Sequence, residues 1–237
     1  MSDCYDLDRI TSIIKVEGYL VNETPLRVGS GKTQTFTSIT DNPLLTINGK
    51  PIIPGSSLKG ALRSLAEAYV KSWTEDKYNK VCDIDDEECE SCKNGKYCIP
   101  CTIFGFKDLS GRVYILDAIA EEYTISQRTM VAIDRVFGGQ LLGHLYSLDF
   151  VEPGGKFKFT MFVYNLDFIN GEVTEWKAKA VEVMRFLINS MIQGIFIGAR
   201  RTTGFGLIKL TQPKFYLSKG DLLKLQEVKP SWLITPS

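Results

Sequence analysis

Histidine is almost missing from this sequence. His144 is the one copy, so a ribonuclease mechanism built on two histidines is excluded within a single chain. Net charge is missing as well. The 28 lysines and arginines are balanced by 28 aspartates and glutamates, whereas a free, nonspecific nucleic-acid binder draws most of its affinity from excess positive charge. Any nucleic-acid site here has to be a local patch, which leaves open a subunit that shares its ligand with neighbours. No apolar run is long enough to span a bilayer. The opening Met1-Ser2-Asp3-Cys4-Tyr5-Asp6 is acidic and lacks the apolar core of a secretion signal. A cytoplasmic protein without membrane contact is the expectation. Internal repeats, linkers and low-complexity segments are absent, which leaves one domain over 1–237 with long insertions.

What is present has an ordinary globular balance, with 44% apolar and 24% charged residues. Residues 10–21 alternate, with Ile14, Val16 and Leu20 on one face, as a strand does. A helix is expected from about Leu58 to Ser72, N-capped by Ser56 or Ser57, with Leu58, Leu62, Leu65 and Tyr69 as its apolar stripe. Residues 112–120 read as a strand, and Gly138-Gly139 suggests a hairpin inside 121–152. Phe157, Phe159, Met161 and Val163 alternate in the next strand. A helix from about Thr174 to Gln193 carries Trp176, Ala180, Val183, Met184, Leu187, Ile188 and Met191 at helical spacing. Phe205 to Tyr216 is a strand, and a short amphipathic helix is expected over Lys219 to Gln226. Without the inserts the order is β-α-β-β-α-β, an α+β, ferredoxin-like arrangement shared with RNA-recognition modules.

Three clusters point to chemistry. In Gly198-Ala199-Arg200-Arg201-Thr202-Thr203-Gly204-Phe205-Gly206, glycines let the backbone approach a phosphate and two arginines offer bidentate contacts. Phe205 has two readings, a base stacked on its ring or packing beneath the loop. In Pro54-Gly55-Ser56-Ser57-Leu58-Lys59-Gly60 a helix start favours an anion, and Lys59 with Arg63 extends the positive surface. The spacing is not that of a P-loop, which argues against nucleotide hydrolysis. Five of the six cysteines lie between Cys82 and Cys101, inside an acidic insert covering about 75–101. Two CxxC pairs, Cys89 with Cys92 and Cys98 with Cys101, can close a tetrahedral thiolate site for a structural zinc. Cys82 is then the fifth and spare thiol. A redox CxxC is the rival, without a thioredoxin-like context.

These motifs, in this order, resemble the RAMP superfamily of CRISPR-associated proteins, and within it the repeated backbone subunit of type III (Csm/Cmr-type) effector complexes. The resemblance covers nearly the whole chain. It is carried by residues 26–31 (LRVGSG), 41–43 (DNP), 53–63 (IPGSSLKGALR), 101–105 (CTIFG), 131–135 (VAIDR) and the terminal glycine-rich loop. It implies copies of the chain stacked with other subunits along a CRISPR guide RNA. Guide contacts would fall on Arg27, Ser56, Ser57, Lys59, Arg63, Arg135, Arg200, Arg201, Thr202, Gly204 and Phe205. A β-hairpin thumb at about 136–146 would kink the guide–target duplex, and sequence would be read by base pairing. The resemblance also makes Asp41 the candidate for cutting paired target RNA, with a divalent cation such as magnesium as its possible helper. Here Thr40 precedes and Asn42 follows, where relatives more often have a hydrophobic residue and serine. Asp41 equally suits a turn before Pro43. Two alternatives stand beside target cutting. One is a non-catalytic RNA-binding subunit, and the other is guide processing through His144.

Overall fold

The computed structural model describes residues 6–29, 43–74, 77–83, 85–86, 89, 97–134, 136–172, 175–220 and 224–234, with the backbone alone for 141–145. In chain order its elements are β1 (Ser12–Asn22), β2 (Thr46–Ile47), β3 (Lys50–Ile53), α1 (Gly55–Lys71), α2 (Ile99–Phe104), β4 (Val113–Ile115) and β5 (Ala118–Glu122). They continue with β6 (Ile125–Ile133), β7 (Gln140–Val151), β8 (Lys156–Tyr164), α3 (Glu175–Gln193), β9 (Ile195–Phe196), β10 (Leu207–Lys219) and β11 (Gln226–Val228). The fold is a mixture of helices with antiparallel sheet.

Ile14, Val16 and Leu20 are all buried, so the alternation in β1 turns one face of the strand inward. β1 sits between β10 and β8, in a sheet of order β11-β10-β1-β8-β5-β3-β2, with β4 beside β8 and β9 beside β10. Phe157, Phe159, Met161 and Val163 of β8 are buried in the same core. α1 contributes Leu58, Leu62, Ala66 and Val70 to that core; α3 contributes Trp176, Ala180, Val183, Met184, Leu187, Ile188 and Met191. Burying one such large side chain is worth about 1.5–3 kcal/mol. That packing, rather than a cap, holds α1, because Pro54 occupies the N-cap with no side-chain hydrogen bond.

The helix therefore starts three residues before the expected Leu58, and neither Ser56 nor Ser57 caps it. Its buried stripe is Leu58, Leu62, Ala66 and Val70, while Leu65 and Tyr69 pack at the core margin. The strand expected over 112–120 is broken into β4 and β5 at Leu116-Asp117. Asp117 leaves the ladder there, and its Oδ1 accepts the Gly55 N–H at 2.8 Å. The expected helix over Lys219 to Gln226 is absent among the described residues. Lys219 ends β10, Gly220 turns the chain at φ 82°, and Gln226 starts β11 against β10.

The hairpin is much longer than the 136–146 segment expected. β6 and β7 form a separate two-stranded sheet, from Ile125 paired with Val151 to Ile133 paired with Gln140. Asp134 closes its tip: its Oδ1 accepts the N–H groups of Val136 at 2.7 Å and Phe137 at 3.0 Å. No described helix is long and apolar enough to cross a membrane.

Candidate nucleic-acid interface and metal centre

The glycine-rich loop leaves β9 and crosses directly over the segment that follows β1. Ala199 N–H donates to the Arg27 carbonyl at 2.9 Å, and Gly206 N–H donates to the Pro25 carbonyl at 2.9 Å. Glycine is required at both crossings. A Cβ at Gly198 would lie 2.3 Å from the Arg27 carbonyl oxygen and one at Gly206 would lie 2.1 Å from that of Ile197, with φ of +75° and +87°. Between these two anchors Arg201, Thr202, Thr203 and Gly204 are exposed, and Arg200 is half-buried.

Arginines converge at the crossing. The Arg27 side chain is largely buried and donates from Nη1 to the Asp149 carbonyl of β7 at 3.0 Å. Burial lowers its pKa; the nearby Asp149 carboxylate works in the opposite direction and the Arg200 charge adds to the lowering. Arg27 and Arg200 thus repel each other at a site where an added anion relieves the strain. Arg200 lies over the Tyr146 ring at 5.4 Å, and Arg128 over the Phe150 and Phe205 rings, each at 5.3 Å. Arg128 and Tyr146 belong to the stretch that periodicity left unassigned, so sequence reasoning missed them.

Of the two readings of Phe205, the structure has the ring packed beneath the loop. It is buried against Leu148 and Phe150, with its ring edge-on to Phe150 at 5.8 Å. Flanked by two glycines, it roots the loop on the base of the hairpin. Thr202 and Gly204 are on the surface.

α1 meets the loop beyond its first turn. Ala61, Ser64, Leu65 and Ala68 line a hollow of about 430 Å³ together with the end of α3, Phe196 and Arg201. Ser56 and Ser57 are exposed on the first turn and Lys59 is half-buried. Burial lowers the Lys59 pKa, and the Arg63 charge lowers it further. The helix end itself is not bare, because the Asp117 carboxylate already meets Gly55 N–H. An anion there has to be held by the serine hydroxyls and Lys59. Gly55 has a steric duty: a Cβ on it would sit 2.2 Å from the Ile115 carbonyl oxygen.

Arg63, expected beside Lys59 as a phosphate contact, points to the cysteines. It donates from Nε to Glu67 at 2.8 Å, from Nη1 to the Gly105 carbonyl at 2.9 Å and from Nη2 to Cys101 Sγ at 3.5 Å. Burial opposes its charge, but the Glu67 hydrogen bond and the charges of Cys101, Glu67 and Cys98 outweigh this and raise its pKa.

Cys82, Cys89, Cys98 and Cys101 are all buried, and their sulfurs lie within 4.8 Å of one another. Tetrahedral zinc with Zn–S bonds of about 2.3 Å needs sulfurs roughly 3.8 Å apart, so this donor set fits the ion. Cys82, the thiol set aside on spacing, is one of the four; Cys92 lies outside the described residues. Cys82 N–H donates to Cys98 Sγ at 3.4 Å, and Cys89 N–H donates to Asp108 Oδ1 at 3.2 Å. Hydrogen bonds from Cys101, Cys82 and Cys89 push the Cys98 pKa down. Around that favoured thiolate, hydrogen bonding to Cys98 with burial pushes Cys82 up, and bonding to Cys89 and Cys98 pushes Cys101 up. Crowded thiols of this kind ionise together only around a cation.

Asp41 and Arg135 lie outside the described residues. His144 belongs to β7, and its side chain is likewise outside them.

An antiparallel sheet backed by α1 and α3, a glycine-rich loop stitched across Arg27 and a serine-lysine helix start define the class. The chain belongs to the RAMP superfamily, which matches residues 19–209. Within that superfamily it resembles the backbone subunit of type III complexes. The CRISPR system Cms endoribonuclease Csm3 of Methanocaldococcus jannaschii is 29% identical over 214 residues, covering 84% of this chain and 79% of that protein. The protein of the same name from Mycobacterium tuberculosis is 25% identical over 229 residues, covering 90% of this chain and 93% of its own length.

Proposed function

We propose that this chain binds CRISPR guide RNA as a repeated subunit of a type III interference complex, and that Asp41 cuts target RNA paired to the guide. The observation that carries the reading is the crossing at Arg27. There a glycine loop presents Arg200 and Arg201 beside a hollow shared with α1. The names of the two relatives, both endoribonucleases of a CRISPR system, agree with it.

In this reading Arg200, Arg201 and Lys59 neutralise successive guide phosphates. Ser56, Ser57 and Thr202 donate hydroxyl hydrogen bonds, and Gly204 admits the backbone closely. Arg27 holds the crossing and adds charge from beneath; Arg135 is assigned to the same guide strand. All of these contacts are to the backbone, which leaves the base edges free to pair with target. The hairpin of β6 and β7 is the thumb. In chain order β1, α1, β4 with β5, β8, α3 and β10 supply the β-α-β-β-α-β core, and their sheet order is that of a ferredoxin-like fold. Cys82, Cys89, Cys98 and Cys101 would hold a structural zinc, which orders an acidic insert with few apolar residues of its own. The partners are then guide RNA, target RNA, further copies and other subunits, all in the cytoplasm.

Cleavage at Asp41 has the target 2′-hydroxyl attack the adjacent phosphorus while the 5′-oxygen of the next nucleotide leaves. The carboxylate takes the hydroxyl proton or holds a divalent cation such as magnesium. Complexes purified with Asp41→Ala test it. Guide RNA should co-purify at unchanged length while target cutting is lost. Unchanged cutting refutes the assignment, and loss of guide processing in His144→Ala alone would favour the guide-processing reading instead.

A further inference from the structure

We infer that Arg63 is the partner of the cysteine-held metal and couples its occupancy to the position of α1, rather than contacting RNA. The inference rests on the zinc reading of Cys82, Cys89, Cys98 and Cys101.

All three faces of the Arg63 fork are used within the protein. Nε is held by Glu67 on the same helix, Nη1 by the carbonyl of Gly105 just after α2, and Nη2 by Cys101 Sγ on α2. The guanidinium therefore joins α1 to the cysteine-bearing helix through donors that a phosphate would otherwise take. Charge gives the second argument. Four thiolates around one divalent ion leave an excess of negative charge, and a neighbouring N–H donor to sulfur is the usual way that such a site is balanced. Arg63 brings a permanent positive charge to that sulfur from the opposite wall. Its Glu67 partner fixes the fork in the plane that reaches both Gly105 and Cys101.

The position of Arg63 in the chain gives the consequence. It lies one helical turn beyond Lys59 and two beyond Ser56, on the helix that carries the proposed guide contacts. With the metal bound, the fork pins α1 against α2. With the metal gone, Cys101 Sγ is no longer fixed against the fork, so α1 loses an anchor near its proposed RNA-facing turn.

Two readouts test this, zinc transfer to a chromogenic chelator and the sulfur-to-metal charge-transfer band after cobalt(II) substitution. Arg63→Met keeps the length of the side chain and removes the charge and the donors. It should release zinc roughly 10- to 100-fold faster than wild type, the range seen when outer partners of metal ligands are removed. Its cobalt band should shift. Arg63→Lys keeps the charge without the fork and should fall between the two. If Arg63→Met folds poorly, the Arg63→Lys release rate and band carry the test alone. Release rates and bands equal to wild type, together with weakened binding of a single-stranded RNA oligonucleotide, would overturn the inference and return Arg63 to the guide contacts. A wild-type protein that purifies without metal under anaerobic conditions would overturn the cysteine reading itself, and this inference with it.

Discussion

Gly55 and Asp117 show how single residues set the start of α1. Gly55 allows the Ile115 carbonyl to press against the first turn, and Asp117 receives the N–H exposed there. Asp117→Ala should cost about 1 kcal/mol through the lost helix-end partner, read as a lower Tm. RNA affinity should not fall, because the change removes a negative charge from the anion side. Gly55→Ala forces the helix away from β4 and should cost about 1–3 kcal/mol; a Tm equal to wild type would contradict the contact. The close backbone crossings of the loop were legible in the sequence, since its glycines act through their own short-range properties. Phe205 was not. A phenylalanine between two glycines looks the same whether it stacks a base or seats itself against Phe150, and only the arrival of β7 beneath the loop decides.

Elements with one buried face announced themselves. β1, β8 and α3 each carry an apolar stripe on an otherwise polar surface, so periodicity located them to within a residue or two. β6 and β7 form a sheet of their own, and β6 lacks a consistent buried face, so its alternation signal is absent and the hairpin is longer than the sequence indicates. Its tip carries Val136 and Phe137 at 84% and 88% exposure, far more than a side chain with a folding role would show. Replacing both by serine should therefore change stability by less than about 0.5 kcal/mol while impairing regularly spaced target cutting. A large drop in Tm would mean that the tip folds back onto the chain. The cysteine insert is an element of another kind, defined by donors rather than periodicity. Spacing pointed to a four-thiol site but set Cys82 aside, because it could not show the chain reversal that brings Cys82 across from Cys98. Chelation should lower Tm by several degrees and expose the insert to protease. An unchanged melting curve after verified metal removal would deny it a structural role.

For the whole molecule, zero net charge is compatible with the proposed phosphate-binding face because basic side chains concentrate locally. Arg27, Arg200 and Arg201 gather around one crossing. The sheet that performs this gathering places β10 beside β1, so a loop near residue 200 lands on a segment near residue 27. The fold makes one surface of the loop and the middle of α1, which meet at the hollow beside Arg201. The most direct test of that surface is the salt dependence of single-stranded RNA binding, comparing wild type with the Arg200→Ala/Arg201→Ala double variant. Each lost phosphate contact should flatten the log–log slope by roughly 0.7, so the pair should flatten it by roughly 1.4 and weaken binding of every sequence alike. An unchanged slope with unchanged affinity would contradict guide binding at this loop.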